Sequence, residues 1–312
     1  MRILVVGAGA TGGYYGGRLA LAGRDVTFLV RGKRADLLRD KGLVIRTPGG
    51  DETLAAPQLI AADTLASAKP FDLILLSVKA YGFESAVNDL APAVGDNTLI
   101  LPLLNGMQHL DKLSARFGAE KVLGGFCRIV GDIAPDGAVW QMTPLNELAY
   151  GTLSEAQQAR IAAVDATLKN AGFVATLSPE ILRDMWGKWI LLASLNAINI
   201  LTRGAIGTVQ ALDEFDGVGT RLENRVMDEV FATCAAYDMM PEEKTIAMIR
   251  ERLTEKDSTL ESSMYRDFTR GYSVECDQIL GDLVRRARLR AIDVPLVEAA
   301  FVQLRLYERA RA

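Results

Sequence analysis

The 312-residue chain carries 35 Lys and Arg against 39 Asp and Glu, a formal net charge of −4, with 49% hydrophobic and 24% charged residues. This length exceeds one ordinary core and predicts two domains, while the composition excludes a disordered or low-complexity chain. The acidic balance gives no electrostatic ground for a nucleic-acid or anionic-membrane partner.

In chain order, the apolar runs RILVV, VTFLV, DLILLSV, TLILPL and KVLGGFCRIV alternate with helical patterns through about residue 176. Alternation of this kind predicts βαβ units and a parallel sheet, with DLILL and LILPLL as strands covered on both faces. The first run is interrupted at Gly7 and Gly9, too early for a signal-peptide core. After Leu177 the strand pattern stops, and Ser178-Pro179-Glu180 reads as a helix start with proline at the first helical position. Helices are predicted over 179–203, 218–237, 241–256, 261–270, 275–290 and 295–310. The expected division is 1–177, an α/β domain, and 178–312, an all-helical domain.

Ile190 to Leu201 is the longest apolar stretch, but it contains Ser194, Asn196 and Asn199 and is shorter than the roughly 20 residues a bilayer requires. No membrane span is expected. Cys127, Cys234 and Cys276 are scattered and odd in number, which fits buried thiols in a reducing cytoplasm. His109 is the single histidine, which argues against a zinc site or a Ser/His/Asp triad, so no metal is expected. The basic run Val284 to Arg290 reads as a solvated helix face.

Gly7-Ala8-Gly9-Ala10-Thr11-Gly12 is a G-x-G-x-x-G between a predicted strand and a helix rich in Gly13, Gly16, Gly17 and Ala20. In that context the first helix presents its N-terminus to a pyrophosphate, the arrangement of a Rossmann-type, doubly wound parallel sheet. The second strand ends in Leu29-Val30-Arg31 with no acid at its tip. A guanidinium there suits the 2′-phosphate of NADP(H), where a carboxylate would suit the free hydroxyl of NAD. The competing reading of Arg31 is a charged loop residue.

Lys188 stands between Trp186 and Trp189, beside Gly187 and ahead of an apolar run. Desolvation at a domain interface would lower its pKa into a range useful for proton transfer, and Gly187 would admit a close neighbour such as a nicotinamide. Periodicity alone also fits a lysine that snorkels to the surface. Glu275, in Gly271-Tyr272-Ser273-Val274-Glu275, is either a ligand contact or a first-turn charge behind a Ser273 cap.

The ordered set GAGATGG with Arg31, Ser77-Val78-Lys79-Ala80, Asn105-Gly106-Met107, Trp186-x-Lys188, and Ser262-Ser263-Met264-x-x-Asp267 followed by Glu275 resembles the ketopantoate reductase family over nearly the whole chain. The resemblance implies reduction of the 2-oxo group of ketopantoate by NADPH in a cleft between a Rossmann domain and a helical domain, on the route to pantothenate and coenzyme A. It implies that Lys79 and Asn105 end sheet strands at the cofactor, that Asn105 also touches the substrate, and that Lys188 is the general acid. Ser263 and Glu275 would bind the substrate's carboxylate and hydroxyl ends. Where the family has asparagines four and eight residues after the lysine, this chain has Leu192 and Asn196, with Asn199 beyond them. Either Asn196 or Asn199 is then the substrate contact. The alternatives are a reductase of another small 2-oxo acid and a non-catalytic NADP(H)-binding regulator. The expected partner is the small substrate, without nucleic acid or membrane, and a homodimer is compatible with the sequence.

Overall fold

The computed structural model describes residues 1–311, which divide into two compact units. The first comprises Met1–Leu104 and His109–Ile181; the second comprises Asn105–Gln108 and the chain from Leu182 onward. Unlike the continuous division at 177/178 expected above, the second unit thus includes a four-residue segment from the middle of the α/β half.

The strands are β1 (Arg2–Val6), β2 (Asp25–Leu29), β3 (Leu43–Thr47), β4 (Gly50–Leu54), β5 (Gln58–Ile60), β6 (Leu73–Leu76), β7 (Leu99–Pro102), β8 (Gly124–Ile133), β9 (Val139–Gly151) and β10 (Val174–Leu177). Helices α1 (Ala10–Leu21), α2 (Gly32–Lys41), α3 (Ala62–Leu65), α4 (Phe83–Leu90), α5 (Gln108–Phe117) and α6 (Gln158–Leu168) accompany them. Five strands form a parallel sheet in the order β5-β2-β1-β6-β7. The order reverses direction at β1, so the loop after β1 lies at the switch point where open α/β sheets bind ligands.

Beside the expected parallel sheet the unit holds a second, mixed sheet in the order β10-β9-β3-β4 with β8 on β9. Its β3–β4 and β8–β9 pairs are antiparallel, whereas β3 and β10 each run parallel to β9. Both antiparallel pairs close through turn residues, Pro48-Gly49 in one and Pro135-Asp136-Gly137 in the other. Helix α1 packs against both sheets because its inner face is almost bare. A Cβ at Gly16 would stand 2.7 Å from Phe28 and Val5 of the parallel sheet, and one at Gly17 would stand 2.7 Å from Ile45 of the mixed sheet. Around it Ile3, Val5, Tyr14, Tyr15, Phe28, Ile45, Leu75 and Tyr150 are buried in one core. Each such side chain contributes about 1.5–3 kcal/mol on burial, which anchors the start of α1 in place.

The second unit is helical, as expected: α7 (Ile181–Thr202), α8 (Ile206–Gln210), α9 (Val218–Ala235), α10 (Glu243–Leu253), α11 (Ser263–Thr269), α12 (Asp282–Leu289) and α13 (Pro295–Arg311). Helix α7 starts beyond the Ser178-Pro179 site, because Ser178 Oγ accepts from the N–H of Glu180 in a turn that precedes the helix. The segment expected as one regular helix over 275–290 is a π-helical turn, Asp277–Gly281, running into α12. The basic run is not simply a solvated face either. Arg286 is largely buried, bonded to Asp282 and set within 6.0 Å of the rings of Trp186, Trp189 and Tyr237. All three cysteines are buried free thiols. No single described helix is long and apolar enough to cross a membrane.

Candidate active site

In the first unit the loop after β1 meets every steric demand of a dinucleotide turn. Gly7 has φ +97°, a conformation costly for any side chain, and its Cβ would press on the Ser77 backbone at 3.2 Å. Gly12 packs so tightly that a Cβ would lie 2.0 Å from Ser77 Oγ and 2.1 Å from the Gly7 carbonyl oxygen. Gly9, the residue before α1, instead faces open space, with no atom within 4 Å of a Cβ placed there. A tight turn, an open approach and a close helix contact are the three roles glycine plays beside a pyrophosphate. The first-turn N–H groups of Ala10, Thr11 and Gly12 point out of the helix and, with its dipole, favour an anion. Ser77 locks the turn by donating from Oγ to the carbonyls of Val6 (3.1 Å) and Gly7 (2.9 Å).

This loop opens onto a cleft of ≈ 350 Å³ lined by the ends of β1 and β2 and by α4. Arg31, immediately after β2, sits on its wall, donates from one terminal nitrogen to Ser85 Oγ at 2.9 Å, and pairs through the other with Asp89. Arg34, one turn into α2, braces the loop by donating to the Ala8 carbonyl at 2.8 Å and to the Gly137 carbonyl at 2.6 Å. Burial lowers the pKa of its guanidinium, and its second terminal nitrogen is buried without a hydrogen-bond partner. Lys79 follows β6, exposed, and precedes a short 3₁₀ turn at Ala80–Gly82. The cleft therefore joins a helix N-terminus, an open glycine and two guanidinium groups. It suits a dinucleotide, with its phosphates at the loop and its adenosine toward Arg31.

The second unit assembles a different cluster. Lys188 Nζ, half-buried on α7, donates to Asn105 Oδ1 at 2.9 Å. Asn105 holds this place because Gly106 turns the chain with φ +80° and lies directly over the π-helical turn, where a Cβ would stand 2.1 Å from the Gln278 carbonyl oxygen. Only glycine fits there. Trp189 donates from Nε1 to the Ile279 carbonyl at 3.0 Å, tying α7 to the same turn. The tryptophans beside Lys188 are thus buried braces of the helical unit, and the neighbour that Gly187 admits is Pro241, 3.9 Å from a Cβ at that position.

Glu275 precedes the π turn half-buried, and Gln278 Nε2 donates to its Oε1 at 3.1 Å. Ser273 does not cap that helix: its Oγ donates to Glu308, whose carboxylate also accepts the Val274 N–H. Ser263 is exposed at the first position of α11, behind a buried Ser262 that accepts the Tyr265 N–H. The two asparagines differ sharply. Asn199 is fully buried and engaged at both ends, donating to the Gly204 carbonyl at 2.8 Å and accepting the Ser262 N–H at 2.9 Å. Asn196 donates back to the Leu192 carbonyl at 2.6 Å, while its buried Oδ1 has no hydrogen-bond partner. Leu192 itself is half-buried, one turn from Lys188.

Two family models match the chain, "Ketopantoate reductase PanE/ApbA" over residues 3–155 and its C-terminal counterpart over 180–308. The chain belongs to the ketopantoate reductase family. It is accordingly an NADP-type oxidoreductase with a parallel-sheet N-terminal half and a helical C-terminal half. An uncharacterised oxidoreductase of Bacillus subtilis is 31% identical over 309 residues, covering 99% of both chains. A 2-dehydropantoate 2-reductase of Pyrococcus horikoshii is 27% identical over 305 residues, covering 95% of this chain and 94% of its own. Among solved structures, a 2-dehydropantoate 2-reductase from Geobacter metallireducens superposes with a TM-score of 0.86 at 26% identity, covering 98% of this chain and 99% of its own. A D-mandelate dehydrogenase crystallised with NADH has a TM-score of 0.84 at 18% identity, covering 100% and 99%, and shares the fold.

Sequence reasoning overlooked Arg34, Ser77 as the lock of the turn, Ser85, Asp89 and Gln278. Ser77 was signalled by the SVKA motif; Arg34, Ser85 and Asp89 act across long sequence separations that a linear pattern does not register, and Gln278, three residues from Glu275, gave no signal of its own.

Proposed function

We propose that the protein reduces the 2-oxo group of a small 2-oxo acid with NADPH, in the manner of a 2-dehydropantoate 2-reductase. The observation that carries this reading is the Lys188–Asn105 hydrogen bond, which sets the ammonium of Lys188 against the signature asparagine at 2.9 Å. Gly7, Ala8, Gly9, Ala10, Thr11 and Gly12 would hold the pyrophosphate, Arg31 the 2′-phosphate, and Lys79 and Asn105 the nicotinamide half. When bound, the dinucleotide supplies the hydride that the 2-carbonyl carbon requires. Lys188 delivers the proton to the carbonyl oxygen as negative charge develops there, the work of a general acid. Asn105 Oδ1 holds the ammonium in one orientation, which lowers the entropic cost of aiming a flexible lysine. Glu275 accepts from the substrate's hydroxyl while Gln278 fixes one of its oxygens, and Ser263 donates to the carboxylate. Of the two asparagines, Asn196 is the better substrate contact, since the amide of Asn199 is already satisfied at both ends.

A second reading, a 2-oxo acid with an apolar side chain, is favoured by Leu192, which sets a hydrocarbon wall one turn from Lys188. NADPH oxidation by the purified protein against a panel of 2-oxo acids tests both. Ketopantoate as the best substrate, with activity lost in Lys188→Ala, supports the first; preference for 2-oxoisovalerate or a larger apolar acid supports the second. Absence of turnover with every acid would leave a dinucleotide-binding regulator as the better account.

A further inference from the structure

The adenosine end of the cleft contains a carboxylate that strand β2 does not supply. Asp89, on α4, lines the same cleft as Gly9, Val30 and Arg31 and forms an ion pair with the Arg31 guanidinium. The other terminal nitrogen of that guanidinium donates to Ser85 Oγ at 2.9 Å. Ser85 and Asp89 are four residues apart on α4, so one face of a single helix holds both terminal nitrogens. The arginine side chain is 57% exposed and the aspartate 22%, which places the carboxylate on the deeper and less screened side of the pair.

In this fold an arginine near the end of the second strand accommodates a 2′-phosphate, and an acid at that point binds the free ribose hydroxyls. Here both chemistries converge on one place from two different elements. A 2′-phosphate that bonds Arg31 must displace Asp89 from the guanidinium or accept a like charge beside it. A ribose 2′-hydroxyl meets no such opposition and can donate to the carboxylate.

We propose that Asp89 is a specificity-determining residue of the dinucleotide site, which by engaging Arg31 restrains the preference for a 2′-phosphorylated adenosine. The inference rests on the dinucleotide reading above and concerns how sharply that site discriminates. Calorimetric titration with adenosine 2′,5′-bisphosphate and adenosine 5′-monophosphate measures the preference without turnover. Asp89→Asn is expected to tighten the bisphosphate by about threefold to tenfold and to change the monophosphate by less than about twofold. Asp89→Ala, which removes the carboxylate without introducing an amide, shifts the ratio in the same direction. The gain shrinks as salt rises from 0.1 M toward 1 M, where the Debye length falls from about 10 Å to about 3 Å. Bisphosphate binding that is unchanged or weakened in both variants overturns the proposal, because Asp89 would then only hold Arg31 in position. Failure of the dinucleotide reading looks different: neither ligand binds the parent protein, or the parent's preference survives Arg31→Ala.

Discussion

Lys188 and Asn105 are 83 residues apart in the chain and meet at 2.9 Å, Nζ donating to Oδ1. The contact depends on how the residue next to each partner is held, since Asn105 is delivered by the turn at Gly106 against Gln278 and Lys188 by a helix that Trp189 fastens to Ile279. Lys188→Ala is therefore expected to lower kcat by about 10²–10⁴-fold, while the Kd for NADPH, followed by fluorescence, stays within about twofold. Asn105→Ala acts on the same ammonium, and its loss should be smaller, about tenfold. Combined with Lys188→Ala it should add little, because one group works through the other. Additive losses in the double variant would show that the two residues act separately.

The glycine loop separates fold from binding. Gly12→Ala drives a methyl group into Ser77 Oγ and the Gly7 carbonyl oxygen, and backbone cannot yield as a flexible side chain can. We expect a loss of about 2–3 kcal/mol and a melting temperature lower by roughly 5–10 °C. Gly9→Ala meets nothing within 4 Å, so the melting temperature of the ligand-free protein should hold within about 2 °C. Its methyl group stands where the backbone must come close to a pyrophosphate, and dinucleotide affinity should fall at least about tenfold. A Gly9→Ala protein that binds NADPH normally would show that this opening is not the phosphate site.

Glu223, fully buried on α9, offers a test of the helical unit independent of catalysis. Burial pushes its pKa up to about 8, while an accepted hydrogen bond from Gln210 acts in the opposite direction and the nearby Asp213 raises it further. Its other oxygen has no hydrogen-bond partner. Below the ordinary value of 4.5 both folded and unfolded chains carry the proton, so the group contributes no pH dependence there. Between 4.5 and about 8 the unfolded chain releases the proton while the folded protein retains it, and stability falls as pH rises. Glu223→Gln removes this slope. Its advantage in melting temperature over the parent should widen from pH 5 to pH 8, corresponding to an increment on the order of 2–4 kcal/mol. Parallel pH profiles for the two proteins would mean that Glu223 ionises normally in the fold.

How much of this was legible in the sequence depended on range. The glycine motif is local, and its three steric roles are visible in six consecutive residues once a strand and a helix flank them. The helical half was legible for the same reason, since periodicity acts within a few turns, although neither Ser178 nor Ser273 caps the helix expected of it. The parallel direction of the first sheet was legible in the alternation of strands and helices, but the mixed sheet was not, because an apolar run does not state which neighbour it pairs with. Pro135-Asp136-Gly137 between two such runs was nonetheless a readable hairpin signal. Arg286 looked like surface charge because its partners, Asp282 aside, are Trp186, Trp189 and Tyr237, all distant in the chain. Asp89 was invisible as a cleft residue for the same reason: it reaches Arg31 from another element. The π-helical turn has no distinctive spacing, although it is what brings Gln278 beneath Gly106.

Leu192 bears on which acid is reduced. A leucine side chain neither donates nor accepts a hydrogen bond, so a polar contact at this level of α7 must come from Asn196. That side chain does lean back by one turn, but one of its N–H groups is taken by the Leu192 carbonyl, and the unpartnered Oδ1 is the atom placed to accept from a substrate hydroxyl. A neutral hydrogen bond lost here corresponds to about 0.5–1.5 kcal/mol, or roughly twofold to tenfold in kcat/KM. Ketopantoate should therefore be reduced with only modest preference over 2-oxoisovalerate, which lacks the terminal hydroxyl. Leu192→Asn should raise that preference by about the same factor, through kcat/KM for ketopantoate. Helix α7 tolerates the change because the position is only half-buried. Strong selectivity for ketopantoate in the parent, with no improvement in Leu192→Asn, would mean that Glu275 with Gln278 already supplies the discrimination and that the leucine faces away from the substrate.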